Sequence, residues 1–340
     1  MARLGVYGGK QYVNDGMDAA IKELNLSEAV IPHYFKASLN IETVSLARGC
    51  VAIAIFVNDD ASGAVVRELH SIGVRIILCM CAGFNMVSLE TAEELGVTVA
   101  RVPTYSPHAV AEFAVGMLMS LNRKIHRAFN RTRECNFEIE GLLGFDLYQK
   151  TVGVLGTGNI GSVFCKIMNG FGCKIIAYDI YHNPELAGLV EYKSLDEVLA
   201  ESDVLSVFLP LYPSTYHTIN EENIFKIKKG AFLVNVSRGG LIDTKALLKA
   251  LKQDHFAGVA LDVYEHESSI FYHDLSSTGV VDDTVMRLLS WPKVIISSHM
   301  AFFTVEAVRN IMQTTLTSLM QFLRNEKVEN EVRIEVMQAK

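Results

Sequence analysis

The 340-residue chain is poor in several things at once. It has 7 prolines and 1 tryptophan, and its 6 cysteines (Cys50, Cys79, Cys81, Cys135, Cys165 and Cys173) form no C-x-x-C pair. That spacing excludes a zinc ribbon or a thioredoxin-type motif. Most of them sit in apolar surroundings, which fits buried, reduced thiols better than a disulfide framework. Cys79 and Cys81 stand one residue apart with no His nearby in sequence, so no metal site is expected. Positive charge is short as well: 31 Lys and Arg against 38 Asp and Glu, a net charge of −7. Phosphate contacts need a basic surface, so nucleic acid is not an expected partner. No apolar run reaches the ~20 residues of a membrane span. The longest, 109–121, carries Glu112. Residues 1–10 run straight into a strand-like segment with no leader pattern. The expectation is a soluble, cytoplasmic protein with no membrane partner.

What is present is alternation of strand and helix, with apolar residues at 50%, enough for two cores of ~150 residues each. Residues 150–179 organise it. An apolar run, 151–155, leads into Gly156-Thr157-Gly158-Asn159-Ile160-Gly161, which fits G-x-G-x-x-G. A helix is predicted over 162–171, with Val163, Ile167 and Phe171 four apart, and a second strand, 174–178, delivers Asp179. Gly156 permits a tight turn, Gly158 lets backbone approach a pyrophosphate, and Gly161 lets the helix lie close to the strand. The helix N-terminus, at Asn159 and Ile160, offers amides and a positive dipole end to phosphate. Asp179, 18 residues past Gly161, stands where an acid can take the two hydroxyls of an adenosine ribose. It repels a 2′-phosphate and no Arg follows it directly, so the cofactor expected is NAD.

Before this stretch, strands are predicted at 3–7, 51–57, 75–78 and 98–102, and helices at 61–70 and 89–95, a parallel βαβ arrangement. Ser106 can cap a helix that Pro107 begins. In it Val110, Phe113, Ala114, Met117, Leu118 and Leu121 recur as one apolar face. The basic run of Arg123, Lys124, Arg127, Arg131 and Arg133 reads as a solvated or subunit-contacting surface, and a homo-oligomer, dimer or tetramer, is expected. Strands follow at 204–209, 232–236, 259–261 and 294–296, then a helix from 305 to about 323; the charged residues 325–340 are expected to fray in part. The fingerprint lies mid-chain. Residues 105–301 therefore read as a dinucleotide-binding domain, and 1–104 with a returning 302–340 as a substrate domain, with a cleft between them. The class is α/β, two doubly wound parallel sheets.

In such sheets ligands bind beyond the carboxyl ends of the strands. Arg238 (with Gly239 and Gly240 giving access), Glu267 and His299 each follow a strand. Together they suit reduction of a 2-keto acid. A guanidinium holds a carboxylate through two parallel hydrogen bonds. An imidazolium protonates the ketone oxygen as hydride reaches carbon. A carboxylate beside the imidazole orients it and favours its charged form. Each residue alone has a plainer reading, as a surface arginine, a solvated glutamate or a structural histidine, and His266 is a rival acid. Their joint occurrence with the fingerprint carries the argument.

The chain resembles the D-2-hydroxyacid dehydrogenase family over nearly its whole length. The resemblance lies in Cys81-Ala82-Gly83-Phe84-Asn85, Val102-Pro103-Thr104-Tyr105-Ser106-Pro107, Leu142-Leu143-Gly144-Phe145-Asp146-Leu147, the fingerprint, Val236-Ser237-Arg238-Gly239-Gly240, Asp262-Val263-Tyr264-Glu265-His266-Glu267 and His299-Met300-Ala301-Phe302. It implies a flavodoxin-like substrate domain, a Rossmann NAD domain, and Arg238, Glu267 and His299 as the catalytic set. It further implies that amides near Gly83 and Phe84 hold the substrate carboxylate, and that Tyr105, Phe302 and Phe56 line its pocket. Val236 and Ser237 would adjoin the cofactor, and Asp262 would meet the nicotinamide amide. Those aromatics, and the 32 residues from Glu267 to His299, favour pyruvate and the lactate branch. Closure is expected to hinge near 103–107 and 299–303. One departure is Phe113, where the family often has His; a packing change is expected. A bulkier 2-keto acid, or an NAD-sensing scaffold like the C-terminal-binding-protein corepressors, which share the Arg–Glu–His set, remain as alternatives.

Overall fold

Apolar runs of three to five residues become strands, and each feeds a helix or turn that returns the chain to the same edge. The computed structural model describes residues 1–334. They form two units, 1–106 with the chain from 303 onward, and 107–302. The first unit holds β1 (Ala2–Val6), β2 (Val30–Tyr34), β3 (Ala52–Ile55), β4 (Ile76–Cys79) and β5 (Thr98–Arg101), with α1 (Gln11–Glu23), α2 (Gly63–Ser71) and α3 (Leu89–Glu94). Its five-stranded parallel sheet has the order β2-β1-β3-β4-β5, the flavodoxin-like winding. β3 and β4 are buried throughout.

The second unit holds α4 (Pro107–Asn122), α5 (Ile125–Arg133), β6 (Thr151–Leu155), α6 (Asn159–Gly170), β7 (Lys174–Tyr178), β8 (Val190–Tyr192), α7 (Leu195–Glu201), β9 (Val204–Val207), β10 (Phe232–Asn235), α8 (Thr244–Lys252), β11 (Gly258–Leu261), α9 (Asp283–Leu289) and β12 (Val294–Ile296). Its sheet is parallel too, in the order β12-β11-β10-β9-β6-β7-β8. Counted from β6, that is the doubly wound order 3-2-1-4-5-6 with a seventh strand added, and its switch point lies between β6 and β9. The last helix, α10 (Val305–Leu323), packs in the first unit on α1 and also meets β4 and β5.

Several expectations need correction. Neither α1 nor β2 was expected from the sequence. Gly16, Asn14 and Asp15 are weak helix formers, yet α1 folds because it packs on α10, where a Cβ on Gly16 would stand 3.0 Å from Val308. Pro32 argues against a strand, but β2 is the edge strand, where a proline is tolerated. The buried face of α6 is Gly161, Phe164, Cys165 and Met168, whereas Phe171 is exposed. Of residues 325–340, expected to fray, 335–340 lie outside the described residues. The preceding ones are tied down: Glu331 bridges Ala100, the Val332 amide donates to Val99 O at 2.8 Å, and Val328 and Val332 are buried. Five cysteines are buried, while Cys135 is exposed.

Asp59, between β3 and α2, is 4% exposed and accepts the amides of Leu39 (2.6 Å) and Phe56 (2.7 Å). Burial pushes its carboxyl up to about 6 against those two hydrogen bonds. An unfolded Asp ionises near pH ~3.9. The unfolded chain therefore sheds this proton first, and stability falls as pH rises through the window between the two values. From about pH 4.5 to about pH 7 the protein is expected to lose roughly 2 kcal/mol relative to Asp59→Asn. Denaturant unfolding of both proteins across that range checks this, and a constant difference between them would place the titration elsewhere.

Candidate active site

The glycine fingerprint sits where β6 turns into α6. Gly156 has φ +96°, and a Cβ there would stand 2.8 Å from Leu209 N. A Cβ on Gly161 would stand 2.0 Å from Gly156 O, so only glycine lets helix and turn approach this closely. Gly158 has no neighbour within 4 Å of its Cβ position. It is the N-cap of α6 and brings no side-chain cap, so the amides of the first turn, at Asn159 and Ile160, have no side-chain partner from it. This cradle fits a dinucleotide pyrophosphate. Asp179 follows β7, with Oδ2 accepting the Thr157 amide at 2.6 Å and Oδ1 the Tyr181 amide at 3.1 Å.

Three adjacent strands, β10, β11 and β12, carry the other group at the same edge of the sheet. Beyond β10, Asn235 is buried at the strand end. Its side chain donates to Arg238 O (3.0 Å) and accepts the Ser237 amide (3.1 Å), fixing the turn. Ser237 anchors that turn to Leu209 O at 2.6 Å, and Val236 is buried. Arg238 is partly buried, and its Nη1 donates to Ser237 O at 2.7 Å. Gly239 does more than give access. A Cβ there would lie 2.1 Å from Tyr264 C and 2.3 Å from Glu265 N, so the Arg238 turn runs directly over the loop that carries Glu267. Gly239→Ala must therefore push the two apart. It is expected to cost about 1–3 kcal/mol of stability and to lower turnover in the folded fraction. Unfolding curves and steady-state rates on the same preparation check it, and wild-type values in both would show that the loops move freely.

Beyond β11 and β12, Glu267 and His299 pair: Nδ1 of the imidazole lies 2.6 Å from Glu267 Oε1. Glu267 Oε2 accepts the Tyr264 amide at 2.8 Å, so both carboxylate oxygens are held. His299 has φ +54°, in the left-handed region. Four bonds hold it there or nearby. Its amide donates to Asp262 O (2.7 Å), its carbonyl accepts from Tyr272 OH (2.8 Å), and the two following amides donate to the Asp262 carboxylate. His266 is exposed and sits edge-on to Tyr264, so the histidine facing Glu267 is His299.

Asp262, which the resemblance places against a nicotinamide amide, also has partners within the protein. It is fully buried and already accepts three hydrogen bonds, from Ser297 (2.7 Å), Met300 (2.9 Å) and Ala301 (2.8 Å). Burial pushes its carboxyl up, against those bonds. Its work in this structure is to fold 297–301 into the turn that presents His299. Tyr272, Ser297 and Asn235 were not read from the sequence. Asn235 left a signal, a polar residue ending an apolar strand; Tyr272 left none. The span from Glu267 to His299 is not simply a loop, since it contains α9 and β12.

In the first unit, Gly83 and Phe84 lie in the loop after β4. The Cys81 thiol donates to Gly83 O (3.1 Å), Arg101 donates to Ala82 O (2.9 Å), and its guanidinium lies 5.3 Å over the Phe84 ring. Phe56 is fixed through its amide by Asp59, and Tyr105 O accepts from Asn310 at 2.6 Å. Phe302 is buried, at the end of the second unit.

A doubly wound sheet with a pyrophosphate cradle at its switch point and a carboxylate–imidazole pair at neighbouring strand ends defines a dinucleotide-dependent oxidoreductase. Residues 115–301 match the family described as D-isomer specific 2-hydroxyacid dehydrogenase, NAD binding domain. The chain is 48% identical to 2-hydroxyacid dehydrogenase A of Aspergillus oryzae, over 97% of this chain and 95% of that one. It is 44% identical to D-lactate dehydrogenase of Escherichia coli, over 97% and 99%. A solved structure of the pyruvate reductase of Chlamydomonas reinhardtii superposes with a TM-score of 0.92 at 40% identity, covering 97% of this chain and 98% of that one. The chain belongs to the D-isomer-specific 2-hydroxyacid dehydrogenases, and its cofactor is NAD. Among the described residues no helix is long and apolar enough to cross a membrane.

Proposed function

We propose that this protein carries out reversible hydride transfer between NADH and pyruvate, giving D-lactate. The supporting observation is the 2.6 Å pairing of His299 with Glu267, on strand ends next to the one that carries Arg238. NADH, when bound, supplies the hydride. Arg238 holds the substrate carboxylate. Glu267 keeps Nδ1 of His299, which leaves Nε2 to deliver the proton to the ketone oxygen. Gly83 and Phe84 add amides for the carboxylate, and Phe56, Tyr105 and Phe302 limit the size of the group on the ketone carbon. In this reading residues 105–301 bind the dinucleotide, and 1–104 with 302–340 serve the substrate. Similarity to the Escherichia coli and Chlamydomonas enzymes supports pyruvate over larger 2-keto acids.

The decisive comparison is NADH consumption with pyruvate, phenylpyruvate and hydroxypyruvate side by side. Fastest turnover on phenylpyruvate would replace pyruvate by a bulkier substrate, and NADH binding without turnover on any would select the scaffold reading. We also propose a cytoplasmic homo-oligomer, dimer or tetramer. On and after α5, Phe129, Phe137, Ile139 and Leu143 are exposed beside the basic run, an apolar display that a lone chain would rarely keep. Light scattering of the purified protein gives the subunit number.

A further inference from the structure

Thr157, the residue between the first two fingerprint glycines, is 1% exposed and is held from every polar atom. Its amide and its hydroxyl both donate to Asp179 Oδ2, at 2.6 and 3.2 Å. Its hydroxyl accepts from Tyr192 OH at 2.9 Å, and its carbonyl accepts from Asn183 Nδ2 at 3.1 Å. Tyr192 OH in turn accepts the Asn183 amide at 2.8 Å. These bonds run in one direction. The Asn183 amide can only donate and an ionised Asp179 can only accept, so the two hydroxyls between them must both point toward the carboxylate. Bonds in such a chain polarise one another and strengthen the last acceptor contact.

The chain of bonds fixes which side of Asp179 remains for a ligand. Oδ2 is taken by Thr157, which leaves the Oδ1 side, held among the described residues by the Tyr181 amide. A ribose diol would have to meet Asp179 there. We infer that Tyr192, the last residue of the three-residue strand β8, is a positioning residue for cofactor choice: through Thr157 it locks the Asp179 carboxylate so that a ribose diol is accepted and a 2′-phosphate refused. Without the Tyr192 hydroxyl, Thr157 can turn and Asp179 can swing aside, so grip on NADH falls while the barrier to NADPH relaxes. The inference rests on Asp179 as the ribose acceptor and not on the substrate proposed above.

Tyr192→Phe is the appropriate variant, because the ring keeps its stacking on His182, at 4.0 Å and 10° between planes. Direct titration by NADH fluorescence, with no substrate present, should show NADH binding about 3- to 10-fold weaker, with NADPH binding unchanged or tighter. The same substitution made in an Asp179→Ala background should cost nothing further. An equal cost in both backgrounds, or an equal loss for NADH and NADPH, would overturn the positioning role. If Asp179→Ala alone leaves NADH binding intact, the ribose contact itself fails and the inference with it. If Asp179→Ala weakens binding and Tyr192→Phe does not, only the Tyr192 role falls.

Discussion

Asn in place of His299 should cut pyruvate turnover by roughly 10²–10⁴-fold, the usual contribution of a positioned acid, and leave NADH affinity near its wild-type value. Asparagine is the chosen replacement because of the backbone. His299 sits at φ +54°, a conformation that asparagine tolerates and most larger side chains resist. The turn around it, held by Asp262 and Tyr272 through main-chain atoms, should therefore survive the change. What is lost is the proton donor and the partner of Glu267 Oε1. Steady-state rates and a fluorescence titration of NADH on the same protein separate the two effects. Matching losses of turnover and of NADH affinity would mean that His299 holds the site's shape and not its proton. The companion variant, Glu267→Gln, replaces one oxygen of the carboxylate that orients the imidazole through Nδ1, so turnover should fall while NADH affinity again holds.

The second large effect is expected at Arg238. Lysine there keeps the charge but not the fork, and so gives up one of two parallel bonds to the substrate carboxylate. A hydrogen bond to a charged group is worth ~1.5–3 kcal/mol, so kcat/KM should fall roughly 10- to 150-fold. The carboxylate is present in ground and transition states alike, so most of the fall belongs in KM. The difference between arginine and lysine should vanish for a 2-keto compound without a carboxylate. If it persists there, Arg238 acts on something other than the substrate acid.

The parts of this protein that were legible in its sequence are those where chemistry and spacing coincide in a short stretch. Strand, glycine turn, helix and acid from 151 to 179 could be read because each glycine answers a local steric need, now visible as the near-contacts of Gly156 and Gly161. Arg238, Glu267 and His299 could be named because each closes an apolar strand with a residue that such a position rarely needs. The supporting contacts were not legible. For Asp262 the resemblance implied a cofactor contact, and its part in holding 297–301 was not legible. Its three donors lie as far as 39 residues along the chain, and no local pattern announces them. Gly239 was read as giving access, and the room it also makes for the backbone of another loop left no local sign. α1 and β2 escaped because a poor helix former and a proline were overruled by tertiary packing and by an edge position.

The first unit's helix α10 has a consequence for how the protein comes into being. Its partners α1, β4 and β5 leave the ribosome some two to three hundred residues earlier, with the entire nucleotide-binding unit made in between. Since domains tend to fold as units during synthesis, that middle unit can be finished while β4 and β5 still lack the cover of α10. Until translation reaches the last turns of α10, the nascent polypeptide carries an open apolar sheet face, and that interval is when it most needs a chaperone.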